Sequence, residues 1–374
     1  MVIFSRVLNF LKIFLSIIFI TFILSLLIDF FFGKKILKSL DRYLVETEFY
    51  GRLMRTDHSV FHHSFLSNVN YKKSKGFEGI YTFCTDNHGF RSECGKVNSK
   101  NFDFGFMGDS FVEGVSLNYD KTFVGLFTKN KKNLKVANLG VTSYAPSIYF
   151  SKLKYLLENN FNFKHIVFFI DISDLYDDSV FYKLNESGVV SERYEKEKNL
   201  KRRKFLRSNF PLTNYYMYVI KKNSQLKKDK KKLKKFSEAP TFNKKASIKA
   251  EWTYYENNIH PDYNIGIKES QKVLINNMEK AHNLLQSKNI KMSLVVYPWP
   301  HQIQNDVVDS KHVKMWREFC YKKCEQFVNF FPFFFREKEK SSFLEVYKKY
   351  FFWNDVHFNF SGNKVIAEKL LEIF

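Results

Sequence analysis

The sequence predicts an α/β fold, a three-layer α/β/α sandwich around a parallel sheet of about five strands, carried on one N-terminal membrane helix. Three observations predict it. An apolar run of about 20 residues stands near the N-terminus. Short apolar stretches of strand character then alternate with stretches of helical character. Two polar motifs able to carry chemistry stand at the end of the first of those strands and just before the last helix.

With 374 residues, 45% of them hydrophobic and 43 of them Phe, the chain can bury a large core, and global disorder is excluded. Phe, Lys, Asn, Ile and Tyr share AT-rich codons, so position rather than abundance carries the reading. The net charge of +22 is concentrated between Lys196 and Lys249, opposed there only by Glu197, Asp229 and Glu238. A local excess of this kind, without a recognisable nucleic-acid fold around it, speaks against a nucleic-acid partner. Cys84, Cys94, Cys320 and Cys324 lack CxxC spacing, so no metal is expected, nor any other cofactor. Cys84 and Cys94 suit a loop disulfide if the compartment is oxidising. Cys320 and Cys324 read as two small apolar residues on one helix face.

The elements follow in order. Ile13 to Phe32 carries a single charge, Asp29, and about 20 apolar residues at 1.5 Å rise match the ~30 Å hydrocarbon core of a bilayer. A cleaved signal peptide is the competing reading, but the run is too long and Asp29-Phe30-Phe31-Phe32 offers no small-residue cleavage site. Arg6 and Lys12 precede the span, whereas Lys34, Lys35, Lys38 and Arg42 follow it. By charge count alone, the C-terminal part is therefore cytoplasmic. A lead-in follows to about residue 100, in which Asn87-His88-Gly89-Phe90-Arg91 reads as a turn. Phe102–Met107 is the first strand, with Phe111–Lys129 able to supply a helix behind it. Lys135–Leu139 is the second strand, followed by a helix over Ser147–Asn159. His165–Ile170 is a continuous apolar run suited to a strand covered on both faces. Lys291–Tyr297 is the fourth strand, after a helix over Glu269–Ser287. Asn329–Phe335 is a weaker fifth candidate, before a terminal helix over Ser361–Phe374. The resulting organisation is an anchor at 1–33, a lead-in at 34–100 and a domain at 101–374 with a basic insertion at about 190–250. The sheet is expected to be flavodoxin-like.

The Lys-rich part of the insertion has no apolar periodicity and reads as a solvated loop. Its aromatic stretch Phe210–Ile220, flanked by Lys and Arg, also suits an anionic bilayer surface, at ~1 kcal/mol per basic residue. The membrane is thus the one macromolecular partner expected.

Gly108-Asp109-Ser110 follows a strand and precedes a helix. This puts Ser110 at the carboxyl edge of the sheet, with a helix N-terminus aimed at any developing oxyanion. A serine needs a base to take its proton and a carboxylate to orient that base, and Asp355-Val356-His357 before the last helix offers both. Alone, the first motif is a common turn tripeptide and the second is equally a capped loop with a surface histidine.

Together, in this order, the motifs resemble the SGNH or GDSL hydrolase family. Gly108-Asp109-Ser110-Phe111-Val112-Glu113-Gly114 is similar to its first block, Asn138-Leu139-Gly140-Val141 to its second and Asp355-Val356-His357 to its last. The likeness runs from about residue 86 to the C-terminus, interrupted by the basic insertion. It implies Ser110 as nucleophile, His357 as base, Asp355 as its orienting carboxylate, and the N–H groups of Ser110 and Gly140 as the oxyanion hole.

The third block departs from the pattern, with Ile170-Asp171-Ile172-Ser173-Asp174 where the family has an oxyanion asparagine. Ser173 or a backbone N–H then takes that place, or the hole keeps two donors, and losing one donor costs ~3 kcal/mol. Asp171 and Asp174 read as structural, holding the turn and nearby helix N-termini. Asp-x-His spacing resembles the membrane-linked branch that handles O-acetyl groups on cell-surface polysaccharides. That branch implies an extracytoplasmic catalytic domain, against the charge count. Asp109, Ser173 and Trp299 are candidate substrate-lining residues, Trp299 either stacking on a sugar or holding a rigid aromatic turn. The expected activity is hydrolysis or transfer of an acyl ester, with an acylated carbohydrate or other small ester as substrate. The alternative is a catalytically weakened glycan-binding or scaffold protein.

Overall fold

A computed structural model describes residues 2–44, 54–193, 205–206, 208–217, 220, 244–254 and 265–374. The chain divides into two compact units, one of residues 1–45 and 195–239, the other of residues 46–194 and 240–374.

In the first unit, helix α1 (Val2–Leu44) exposes nearly all its Phe, Ile and Leu side chains from Phe10 to Phe32. Its 29-residue stretch Asn9–Leu37 has a mean hydropathy of 2.7. That is long and apolar enough to cross a bilayer. Most of the basic insertion lies outside the described residues.

The second unit begins with two antiparallel hairpins, β1 (Arg55–His58) with β2 (His62–Phe65) and β3 (Lys72–Lys75) with β4 (Ile80–Phe83). The expected turn follows, with the Asp86 carboxylate accepting from the His88 and Phe90 amides at 2.9 Å each. The parallel sheet contains β5 (Asn101–Met107), β6 (Val136–Asn138), β7 (Asn162–Ile170), β10 (Lys291–Val296) and β11 (Gln326–Asn329). Between β7 and β10 in the chain come a small hairpin, β8 (Tyr182–Leu184) with β9 (Val190–Glu192), and part of the insertion. Across the sheet the order is β11-β10-β7-β5-β6. Counted along the chain, these strands therefore stand 2-1-3-4-5, the flavodoxin-like order, whose direction of winding reverses between β5 and β7.

Helices α2 (Ser110–Glu113), α3 (Phe123–Asn130), α4 (Pro146–Glu158), α5 (Lys244–Ala250), α6 (Ile267–Ser287), α7 (Pro300–Asn305), α8 (Lys311–Cys320), α9 (Phe331–Lys340), α10 (Phe343–Tyr350) and α11 (Phe360–Ile373) complete the unit. α4 pairs with α6 and α3 with α11, giving the outer layers. The central strands are buried on both faces, which is why Ile166-Val167-Phe168-Phe169-Ile170 is apolar without alternation.

Three expectations need correction. The single helix over Phe111–Lys129 is broken after one turn, because Gly114 adopts the left-handed conformation at φ 70° and ends α2. The last strand lies earlier than Asn329–Phe335: Pro332 in the first turn of α9 draws Phe331–Phe335 into a helix instead. Cys320 and Cys324 do not share a helix face. α8 stops at Cys320, Lys322 turns the chain at φ 61°, and the two sulfurs are bonded. Cys84 and Cys94 form the other disulfide.

Candidate active site

Ser110 is the first residue of α2, directly beyond β5, and Asp171 directly follows β7, so both stand where the winding reverses. Its N1 position leaves the Ser110 amide without an intrahelical acceptor, as the start of any helix does. The loop before α11 brings His357 to it from 247 residues away, with His357 Nε2 2.8 Å from Ser110 Oγ. His357 Nδ1 lies 2.5 Å from Asp355 Oδ1, which also accepts the His357 amide at 3.0 Å. The loop is shaped from below by Tyr347, whose hydroxyl bonds the Asp355 amide at 2.9 Å and the Phe352 carbonyl at 2.8 Å. Phe111 and Phe77 flank the imidazole, with ring centroids 4.9 and 6.2 Å away. A proton can therefore pass from Ser110 Oγ to His357 Nε2 while Asp355 fixes the ring.

On its other side Ser110 Oγ lies 3.0 Å from Asp109 Oδ2. A hydroxyl has one hydrogen, so an ionised Asp109 would compete with His357 for it. Burial, then the neighbouring Asp171, hold the Asp109 carboxyl well above the usual carboxylate range, which favours its neutral form. A neutral Asp109 shares its proton with Asp171 and is a weaker acceptor for the serine hydrogen than a carboxylate, which favours the imidazole as that hydrogen's acceptor. Asp171 accepts the Ser173 amide at 2.7 Å and the Trp299 indole N–H at 2.9 Å. Beyond it burial raises Asp174, which accepts from Tyr149, and Asp178, pushed up to about 6. Asp177 is also raised by burial, although Lys249 pairs with it at 2.5 Å. Asp178 rather than Asp174 caps a helix, accepting the Ser147 amide of α4 at 3.0 Å.

The expected oxyanion donors differ from one another. Gly140 lies against α2, where a Cβ would come within 2.5 Å of Val112 Cβ and 2.7 Å of the Glu113 nitrogen, so only glycine fits. Its N–H is engaged by Asn138 Oδ1 at 3.1 Å, which keeps that donor from a ligand until the asparagine moves. The carbonyl of the same peptide, on Leu139, accepts from Lys152 at 2.9 Å. Lys152 is buried among Phe61, Phe90 and Tyr144, and burial pushes its ammonium down to about 7. Ser173 is buried in the turn. Trp299 is only 5% exposed and spends its N–H on Asp171, so its ring offers no open face for a sugar and supports the acidic turn instead.

Sequence reasoning missed what braces α2. Arg91, fully buried, donates to the carbonyls of Glu113 and Gly114 at 2.5 Å each, and to that of Leu117. Glu113 is fully buried and pairs with Arg55 at 3.1 Å, while accepting the Thr142 amide and hydroxyl at 2.7 Å each. Tyr144 reaches from the loop after β6 to the His63 carbonyl at 2.6 Å. The first hairpin, through Arg55 and His63, and the turn that ends at Arg91 thus hold the loops beyond β5 and β6. The one available signal was the turn at Asn87–Arg91, which had no partner in sequence.

No family model matches the chain, and no curated protein matches it. Among solved structures it is similar to a lipolytic protein of the G-D-S-L family from Veillonella parvula, at 11% identity and a TM-score of 0.39, over 72% of this chain and 97% of the other. It is also similar to one from Desulfitobacterium hafniense, at 10% identity and a TM-score of 0.36, over 74% and 100%. A gut microbial diltiazem-metabolizing enzyme is similar at 11% identity and a TM-score of 0.37; the chain, over 74% of its own length, spans 47% of that protein. Likenesses this distant add nothing to the geometry of the site.

Proposed function

We propose that the protein is a serine-dependent carboxylic ester hydrolase or O-acyltransferase acting on an acylated, in particular O-acetylated, glycan or a similar ester. The observation that carries this is the hydrogen-bonded series Ser110 Oγ, His357 Nε2, His357 Nδ1 and Asp355 Oδ1 at the sheet's reversal point. Ser110 Oγ attacks the ester carbonyl carbon as its proton moves to His357 Nε2. The tetrahedral intermediate collapses, His357 returns the proton to the departing alkoxide, and an acyl-serine remains. Water or a sugar hydroxyl, deprotonated by His357, then attacks the acyl carbon and Ser110 leaves with the proton. The Ser110 amide at the start of α2 is one oxyanion donor. Gly140 becomes a second when Asn138 releases it.

The acetylated-glycan substrate rests on the Asp-x-His spacing and on the membrane helix. Two disulfides favour an oxidising, extracytoplasmic compartment over the cytoplasmic one suggested by the flanking lysines. A second reading, a weakened glycan-binding or scaffold protein, draws on Ser173 in place of asparagine and on the engaged Gly140 amide.

The test uses the full chain in detergent with a fluorophosphonate probe and a chromogenic acetyl ester. Labelling and turnover that vanish in Ser110→Ala are expected of the enzyme. Glycan binding with neither signal would establish the second reading instead. A C-terminal reporter fusion, active only outside the cytoplasm, checks the orientation.

A further inference from the structure

Within the unit formed by residues 1–45 and 195–239, Pro211 opens a helix at 211–217 and has no N–H to satisfy. The next two amides, Leu212 and Thr213, donate to the two carboxylate oxygens of Asp29 at 2.8 and 2.7 Å. The Asn214 amide donates to the Phe210 carbonyl at 3.0 Å. Every amide of the first turn is therefore satisfied inside the protein, whereas an uncapped helix start leaves these groups to solvent. Asp29, the single charge of the apolar run, is only 3% exposed. Gly33, one turn further along α1, makes the approach possible: a Cβ there would lie 2.2 Å from Asp29 Oδ1 and 3.0 Å from Pro211 Cγ. Phe30 meets Phe210, with ring centroids 5.9 Å apart.

The surroundings of this junction are apolar. Phe205, Tyr216, Met217 and Ile220 are exposed, as are Phe30, Phe31 and Phe32 of α1. In sequence, Lys201, Arg202, Arg203, Lys204 and Arg207 lie on one side of the helix, and Lys221, Lys222, Lys227 and Lys228 on the other. A helix start that needs no water, aromatic side chains facing outward, and basic runs on both flanks together fit the boundary between hydrocarbon and anionic headgroups. Asp29 stands roughly 4.5 Å before the end of the apolar run at Phe32, at the rise of an α-helix, which sets the junction at that depth. A lone carboxylate there is costly, and the two amides offset the cost.

We propose that residues 208–217 form a second membrane element, an aromatic segment lying in the leaflet from which the C-terminal end of α1 emerges. Asp29 clamps it to α1, and the basic runs that flank it in sequence suit a leaflet of anionic phospholipid. This rests on α1 spanning the bilayer.

The full chain, reconstituted in nanodiscs of phosphatidylglycerol and phosphatidylcholine, tests it. All four native cysteines are in disulfides, so a single introduced cysteine takes an environment-sensitive fluorophore selectively. Labels at Tyr216→Cys and, as a control within α1, Phe19→Cys are both expected to emit blue-shifted light and to be quenched by nitroxide lipids. In Asp29→Leu and, separately, in Gly33→Leu, the 216 label is expected to shift to water-like emission while the 19 label stays unchanged. Lipid without phosphatidylglycerol weakens attachment of the 216 segment about fivefold for each basic residue at the surface. A wild-type 216 label that is water-like, or blue-shifted but not quenched by nitroxide lipid, overturns the proposal while the 19 label remains in lipid. A 216 label unmoved by both substitutions overturns the clamp. If the 19 label is also in water, the spanning reading itself fails.

Discussion

Two groups of aspartates flank Ser110, and they differ in what surrounds them. Asp355 sits in a loop with its side chain 22% exposed, accepting an imidazole and an amide. Asp109, Asp174, Asp177 and Asp178 stand on the other side, each buried, three of them hydrogen-bonded to neutral groups and only Asp177 paired with a cation. The same side chain is thus available as a partner for a histidine on one side and is pushed toward its protonated form on the other. Environment rather than residue type divides the labour. The serine hydroxyl has two acceptors within reach, His357 Nε2 at 2.8 Å and Asp109 Oδ2 at 3.0 Å, and the burial that raises Asp109 weakens the second.

The comparison presupposes that the serine and its base act as one unit. Ser110→Ala is expected to lower kcat for an acetyl ester about a millionfold, with His357→Ala adding little to it, as steady-state kinetics on the double variant will show. Asp355→Asn removes the acceptor that orients the imidazole and is expected to cost about ten-thousandfold in kcat. In the buried group, the raised acid Asp178 contributes stability that is fully present below the unfolded value of 3.8 and lost as pH rises through about 6. Unfolding by urea should therefore move in favour of Asp178→Asn over the wild type by about 2 kcal/mol between pH 4 and pH 7.5. The smallest effect is the most telling. Asp109→Asn keeps a neutral group beside Oγ and should leave kcat within about tenfold, on the order of one hydrogen bond. A loss as large as that of Asp355→Asn would break the comparison and make Asp109 a working carboxylate.

The sheet was legible because its central strands are covered on both faces and show it as unbroken apolar runs, whereas its edges were read less well. The fifth strand has only Gln326–Asn329 to show, and the stronger apolar signal at Phe331–Phe335 belongs to a helix with Pro332 in its first turn. The bonding of Cys320 to Cys324 could not follow from i, i+4 spacing, since it depends on where α8 stops. Ser110, His357 and Asp355 were legible as motifs. Their supports were not, because Arg91 acts on three backbone carbonyls that carry no side-chain signature, and Asp109 depends on Asp171, which lies 62 positions away in the chain and close only in the fold. Gly140 was read as a donor, and in the structure its N–H is held by Asn138.

The hairpins ahead of the sheet bear on where the chain can be cut. A fragment begun at residue 101, where the first sheet strand starts, would strand Glu113 as a buried carboxyl without its guanidinium, a loss on the order of 3–5 kcal/mol. It would also free the carbonyls that Arg91 gathers at the end of α2 and leave Tyr144 without the His63 carbonyl. Protease trimming or domain transplantation that keeps the site intact must then begin no later than Arg55. The minimal heritable unit of the site is longer than the sheet that displays it.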